Sequence, residues 1–130
     1  MEIILRLLLA AGLSAAIGYQ RERKGKAAGL RTHILIGSGA ALFTLVSIYG
    51  FSGAVDPSRV AAGVVAGVGF IGAGVIFRGM RGEGVAGLTT AASIWITAAI
   101  GLAAGAGLYL IGAIATAITV GVLMLPKIRG

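Results

Sequence analysis

The stretch that decides the fold runs from Val85 to Leu125 and reads VAGLTTAASIWITAAIGLAAGAGLYLIGAIATAITVGVLML, 41 residues without a charged side chain. As one helix it would be about 60 Å long, twice the roughly 30 Å core of a bilayer. The stretch must therefore turn back on itself. Because glycine permits the backbone angles of a tight turn, we expect a hairpin around Gly101, Gly105 and Gly107. The stretch predicts two membrane-spanning helices, at 87–103 and 107–125.

Three further apolar segments precede this stretch, each close to the roughly 20 residues that a membrane-spanning helix needs. They cover 3–20, 32–51 and 59–77. Of the 130 residues, 58% are hydrophobic and 12% are charged, whereas a soluble domain has about 25% charged residues. The chain is therefore predicted to be an all-α polytopic membrane protein, with five transmembrane helices in one domain, 1–130. This composition excludes an ordinary soluble enzyme, and the absence of Cys excludes a disulfide scaffold.

The basic residues indicate the orientation of the helices. Nine of the 11 Lys and Arg lie in three blocks, at 21–31, 78–81 and 127–129. Basic connections stay in the cytoplasm, so the N-terminus is predicted to be outside and the C-terminus cytoplasmic. The net charge of +7 is then a topology signal, and no nucleic acid partner is expected. The first cytoplasmic loop is expected to lie against anionic lipid; its charged residues are Arg21, Glu22, Arg23, Lys24, Lys26 and Arg31.

Small residues four apart predict how the helices pack, because close approach holds helices together in lipid. Such pairs occur as Gly12 with Ala16, Gly37 with Ala41, and Gly63 with Gly67. The third segment is the richest in glycine, and we expect it at the centre of the bundle. An alternative is that its glycines, Gly69, Gly72 and Gly74, mark a broken helix of the kind that transporters use.

Polar residues of the fourth helix suggest two interpretations. Thr89, Ser93 and Thr97 are four apart, so they form a stripe that either lines a cavity or faces the third helix, or bonds carbonyls of its own helix. Trp95 lies near the middle of this helix and is expected to pack inside the bundle. Before the third helix, Asp56 is expected to cap the first turn, with Pro57 at the first helical position.

Few residues are suited to catalysis or metal binding. The chain has one His and four carboxylates, and no predicted span combines a His with a carboxylate. We therefore expect no catalytic residues, no metal site and no cofactor, and interpret the protein as not an enzyme. His33 lies at the start of the second helix and is either a proton-sensitive group or simply solvated or bonded to a carbonyl.

Three strings resemble one protein family. They are QRERKGKAAGLRTHILIGSGAALFTLVS at 20–47, DPSRVAAGVVAGVGFIGAGVIF at 56–77 and GLTTAASIWITAAIGLAAGAG at 87–107. In this order they resemble the MgtC/SapB family of bacterial inner-membrane proteins, and the resemblance covers essentially the whole chain. It implies growth under magnesium limitation, a link to virulence, and regulation of membrane ATPases and membrane potential. An oligomeric ion channel or small-solute transporter is the alternative, and a homo-oligomer is a further candidate assembly.

The resemblance also implies a binding or partner face on the third and fourth helices. By position, it comprises Gly67, Gly69, Phe70, Gly72, Ala73, Gly74, Gly87, Leu88, Thr89, Thr90 and Ala91, together with Ser93 and Thr97 from the polar stripe. The chain departs from the family pattern at Gly63, Ala66 and Thr89, where many or some members have Gln, Ser and Asn. Many members also carry a cytoplasmic C-terminal domain, and we expect regulation through such a domain to be absent here.

Overall fold

The computed structural model describes residues 2–53, 55–79 and 84–126, and these residues contain five α-helices and no strand. The helices are α1 (Glu2–Arg23), α2 (Leu30–Tyr49), α3 (Ser58–Gly79), α4 (Gly84–Gly105) and α5 (Tyr109–Leu123). The all-α class and the five helices are confirmed, and each helix end lies within three residues of its predicted position. Arg81, Lys127 and Arg129, which the topology prediction places in the cytoplasm, lie outside the described residues.

Helices α1 to α4 are long and apolar enough to cross a membrane, whereas α5 has 15 residues and is about 22 Å long. Nevertheless, α5 follows α1 from one end to the other. At one end the Tyr109 hydroxyl donates to Glu2 Oε2 (3.0 Å), and at the other Gln20 Nε2 donates to the Leu123 carbonyl (3.0 Å). Helix α5 thus runs parallel to α1, and the predicted span 107–125 is four residues longer than the helix itself.

The turn between α4 and α5 has the predicted length of three residues but lies two residues further along the chain, at 106–108. Gly101 and Gly105 are the interior and the last residue of α4, and only the next three residues leave the helix. Gly107 has φ of +89°, a left-handed conformation that residues with a Cβ rarely adopt. Of the three glycines expected to form the hairpin, Gly107 alone supplies the turn.

The centre of the bundle is α4, not α3, so the expected position of α3 is wrong. Among the described residues, α4 contacts each of the other four helices, whereas α3 contacts α4 and, less extensively, α2. Most buried residues of α4 are small or carry a hydroxyl group, which allows close approach on several sides, and two isoleucines are buried with them. The set is Thr90, Ala91, Ser93, Ile94, Thr97, Ala98, Ile100, Gly101, Ala104 and Gly105. Trp95 is 58% exposed on the outside of α4, so its predicted packing in the interior is also wrong.

Glycines of α2 and α4 bring their two backbones into contact. A Cβ at Gly101 would overlap the Gly37 carbonyl, and one at Gly105 would come within 2.9 Å of the Ala41 backbone. The predicted small pair of Gly37 and Ala41 thus forms a helix interface. In contrast, Gly12, Gly63 and Gly67 have no atom within 4 Å of an added Cβ, because their faces do not meet another described helix.

Helix α3 is continuous from Ser58 to Gly79, so its glycines do not break it. The Asp56 carboxylate accepts hydrogen bonds from the Ser58 backbone N–H (3.0 Å) and hydroxyl (2.7 Å), which confirms the predicted cap. These two bonds hold the pKa of Asp56 below its usual value, since they favour the charged form. The helix therefore begins beside a carboxylate that is ionised at neutral pH.

Candidate functional site

A buried polar cluster joins α1, α2 and α4 near the ends that hold the basic α1–α2 connection. Its members are Arg21 on α1, His33 on α2, and Thr90 and Ser93 on α4. Thr90 and Ser93 are three residues apart and lie on one side of α4, and this side faces α1 and α2. We call these four residues the inner polar cluster.

His33 is fully buried and bonded through both ring nitrogens. Nδ1 lies 2.8 Å from the Gly29 carbonyl and Nε2 lies 3.0 Å from Ser93 Oγ. The Gly29 carbonyl only accepts, so Nδ1 donates to it, and Nε2 of the neutral ring can accept from the Ser93 hydroxyl. The same hydroxyl lies 2.8 Å from the Thr90 carbonyl, and its one proton serves only one of these two acceptors at a time. Of the surroundings expected for His33, the bond to a carbonyl is therefore confirmed and solvation is wrong, while its proton sensitivity stays a prediction. The same ring also joins α2 to α4.

Arg21 does not belong to a solvated loop as the sequence suggested. It lies in the last turn of α1, is 3% exposed, and donates from Nη2 to Thr90 Oγ1 (2.8 Å). Its Nε is buried without a hydrogen-bond partner among the described residues. Arg21 is therefore part of the protein interior, whereas Lys24, Lys26 and Arg31 are exposed. Burial of a guanidinium costs free energy unless the group is well bonded.

The polar stripe on α4 differs from the predicted one by one residue. Thr89 is exposed, and Thr90 replaces it in the buried row with Ser93 and Thr97. Ser93 Oγ lies 2.8 Å from the Thr90 carbonyl, and Thr97 Oγ1 donates to the Ser93 carbonyl (2.7 Å). The interpretation that the hydroxyls bond their own helix is therefore confirmed for Thr97, and Ser93 lies within reach of a carbonyl of its own helix. The residue that faces Ser93 is His33 on α2, and not a residue of α3 as expected. The buried row begins at Thr90 and not at Thr89 because this side of α4 faces both α1 and α2.

The predicted partner face is divided between the interior and the surface. Gly72 packs against Ala91, so this part of α3 forms the contact with α4. Gly69, Phe70, Ala73 and Gly74 are exposed on α3, as are Leu88 and Thr89 on α4, while Gly87 is half-buried. Gly67 is exposed beside α2 and lines a groove between α2 and α3. The motif residues therefore contribute both to packing and to an outer surface.

Glu22 caps the first turn of α2. Its Oε1 accepts from the Leu30 backbone N–H (3.0 Å) at the start of α2. The Arg23 guanidinium lies 5.8 Å from the centre of the Tyr19 ring. The basic connection is thus shaped by α1 and α2, and its exposed cations are free to meet anionic groups outside the protein.

A second polar cluster, at the opposite end of the bundle, was missed as a site by sequence reasoning. Arg6 is buried, donates from Nη1 to the Gly105 carbonyl (2.9 Å), pairs with Glu2 (3.2 Å) and lies over the Tyr49 ring (5.7 Å). Two signals were available: an arginine inside an apolar span, and a glutamate four residues before it. This cluster fixes α1 to the α4–α5 turn.

No metal-binding arrangement occurs in the described ranges, where His, Asp and Glu do not come together in groups of three or more. The inner polar cluster offers a guanidinium, an imidazole and two hydroxyls, donors that suit anions or protons more than a divalent cation. Its chemistry is hydrogen bonding between helices.

Comparison with known proteins bears on this arrangement. The model of the MgtC family matches residues 7–128. "Putative magnesium transporter YhiD" of Escherichia coli (strain K12) is 54% identical over 129 residues, which cover 94% of this chain and 59% of that protein. "Protein MgtC" of Brucella abortus (strain 2308) is 44% identical over 119 residues, 90% of this chain and 49% of that protein.

A third relative comes from a cyanobacterium. "Protein SrpB" of Synechococcus elongatus is 47% identical over 126 residues, 88% of this chain and 69% of that protein. The chain spans about half to two thirds of the length of these curated relatives, and no solved structure matches it. Because the family model covers nearly all of the chain and the relatives share about half of its residues, the chain belongs to the MgtC family.

Proposed function

We propose that this protein acts without catalysis in the bacterial inner membrane and modulates magnesium-related ion homeostasis and membrane potential by contacting a membrane ATPase. Two kinds of support exist. The first is membership of the MgtC family, with a relative whose name refers to magnesium transport. The second is an unusual surface on α3, which is the observation that carries the proposal.

This surface lies on the side of α3 that points away from α2 and α4. We call it the outer face of α3; it is formed by Ala66, Gly69, Phe70, Ala73 and Phe77. Phe70 is 82% exposed and Phe77 is 76% exposed. They are seven residues apart, so both rings lie on one side of the helix. Only 6% of the α3 span is buried, compared with 56% for α4.

The chemistry of this face suits another transmembrane helix. Helices in lipid associate through small residues that allow close approach, with larger side chains filling the space between them. The outer face of α3 alternates aromatic rings with Ala and Gly, and an added Cβ at Gly69 meets no atom within 4 Å. The proposal therefore places the ATPase contact on this face.

Photocrosslinking tests the proposal in native membranes. A photoreactive phenylalanine analogue replaces Phe70, and in a matched control it replaces Leu110, which is equally apolar and 72% exposed on α5. We expect a membrane ATPase to be trapped from Phe70 and not from Leu110. Equal recovery from both positions, or recovery of this chain alone, contradicts the proposal.

The alternative function is an oligomeric ion channel or small-solute transporter. The name of the Escherichia coli relative, which refers to a magnesium transporter, favours this alternative. The buried polar stripe of α4 is the feature that would line a path for the ion or solute. Purified protein in liposomes distinguishes the two proposals. A magnesium or potassium flux that disappears in Ser93→Ala supports transport, and no flux under an imposed gradient counts against it.

A further inference from the structure

A groove between α2 and α3 remains after the packing of the bundle is accounted for. Its volume is about 620 Å³. The sides of the groove are Leu35, Gly39 and Phe43 on α2 and Gly63, Gly67 and Ile71 on α3. Leu35 and Phe43 are exposed at its edge, so the groove opens sideways into the surrounding lipid.

The space in the groove is empty because glycines line it. An added Cβ at Gly39, Gly63 or Gly67 meets no described atom within 4 Å. Deeper in the groove, Ala40 and Val64 pack against Ala98 of α4 and close the bottom. Residues of three helices therefore form the groove, and an occupant would lie against these packed residues at its bottom.

The dimensions of the groove suit a hydrocarbon chain. From Val60 to Ile71, α3 rises about 16 Å, so the groove extends along about three turns of the helix. Its volume of about 620 Å³ and its apolar sides accommodate an extended alkyl chain that lies along α3.

The charges at the two ends of the groove differ. On α2, Arg31 precedes Leu35 by four residues, so it lies on the same side of the helix, about 6 Å further along the axis. Arg31 is exposed and follows the exposed Lys24 and Lys26. At the other end, Asp56 and Arg59 balance each other. Among the residues that the structure describes, the Arg31 end is the one with an excess of positive charge, which is complementary to an anionic headgroup.

We propose that the groove between α2 and α3 binds one anionic phospholipid, with an acyl chain over Gly39, Gly63 and Gly67 and its headgroup phosphate at Arg31. Arg31 donates to the phosphate as a charge-assisted hydrogen-bond donor. The site is separate from the outer face of α3, where the ATPase contact is proposed. Loss of one does not imply loss of the other.

Native mass spectrometry of the purified full chain tests this site. The probe is an equimolar mixture of phosphatidylglycerol and phosphatidylcholine with identical acyl chains, added in detergent. We expect one phosphatidylglycerol to be retained about fivefold more than phosphatidylcholine, as one cation beside an anionic headgroup predicts. Equal retention of the two lipids overturns the proposal, because it indicates only non-selective contact with lipid.

Two pairs of variants separate the headgroup from the groove. Arg31→Gln should abolish the preference, whereas Arg59→Gln at the other end should keep it. Gly67→Leu fills the groove and should abolish retention of the lipid, as should Gly63→Leu, whereas Gly121→Leu on α5 should not, since its added Cβ is also free of contacts. Unchanged retention in both groove variants overturns the proposal, as does a dimer of this chain that Gly67→Leu dissociates.

Discussion

His33 and Ser93 form a direct bond between α2 and α4 in the inner polar cluster. The ring is fully buried, and Nε2 lies 3.0 Å from Ser93 Oγ. A buried imidazole that loses this partner retains an unsatisfied nitrogen, which costs more than the bond itself contributes. The bond therefore belongs to the small set of residue-scale features on which the stability of the bundle depends.

A double-mutant cycle measures this bond. His33→Ala and Ser93→Ala are compared singly and together by thermal or denaturant unfolding in detergent. We expect a coupling free energy of about 0.6–1.7 kcal/mol, the range for hydrogen bonds between membrane helices. His33→Ala with Thr116→Val is the control, because Thr116 bonds only its own helix on α5 (2.8 Å) and the two changes should add. Additive effects in the first cycle would contradict the assigned bond.

For individual residues, the sequence indicated which positions place polar groups within a helix better than it predicted what those groups contact. It identified His33 and the hydroxyls of α4 as polar groups inside a span, because burial of such groups is costly and therefore informative. It did not predict that Arg21 is buried or that Thr90 replaces Thr89. These outcomes depend on the rotation of α1 and α4 about their axes, which their own sequences do not determine.

Close contact between α2 and α4 organises the elements of the bundle. Gly101 lies directly against the Gly37 backbone, so the two helix axes approach as closely as glycine allows. Larger residues at such a position would separate the helices. The contact makes α4 central, because α1, α3 and α5 then pack on its remaining sides.

Substitution of Gly101 tests the importance of this contact. Gly101→Ala should lower the free energy of unfolding by about 1–3 kcal/mol, because the added Cβ overlaps a backbone carbonyl that cannot move independently. Gly39→Ala on α2 is the matched control: its Cβ meets no atom within 4 Å, and Ala is a better helix former by about 0.5–1 kcal/mol. Equal stability of the two variants in detergent would show that α2 and α4 do not touch at Gly101.

The prediction that α3 lies at the centre of the bundle is wrong because it was based on the composition of a single helix. Its glycine content predicts a helix that neighbours can approach closely, but it does not say whether neighbours do so. In the structure only the side around Gly72 meets α4, and the remaining glycines face the groove or the surroundings. Small residues are therefore compatible with a central helix and also with an outer helix whose surface contacts another protein or a lipid.

In the whole molecule, the ends of the five helices form two groups. Arg6 contacts Gly105 and Tyr49, which brings the α4–α5 turn and the end of α2 beside the start of α1. At the opposite end, Arg21 reaches Thr90 at the beginning of α4. This alternation agrees with connections that lie by turns on the two sides of a membrane. The assignment of the basic group to the cytoplasm stays a prediction.

Single cysteines test this orientation, since the chain has no natural Cys. Ser52→Cys and Leu108→Cys replace exposed residues of the α2–α3 and α4–α5 connections, and Lys26→Cys replaces an exposed residue of the α1–α2 connection. In intact spheroplasts, a maleimide that cannot cross membranes should label the first two and not the third. After lysis all three should react. Labelling of Lys26→Cys in intact spheroplasts would reverse the topology.

The sequence by itself determined the number of helices, their approximate ends and their membrane character. Apolar length and charge act segment by segment, so transfer into lipid can be judged for each segment alone. Only the tertiary structure decided that α4 is central, that Arg21 and Arg6 are buried, and that an apolar groove separates α2 from α3. In lipid no hydrophobic force drives one helix against another, so the arrangement depends on the fit between two surfaces. That fit is a property of pairs of helices, which no single segment contains.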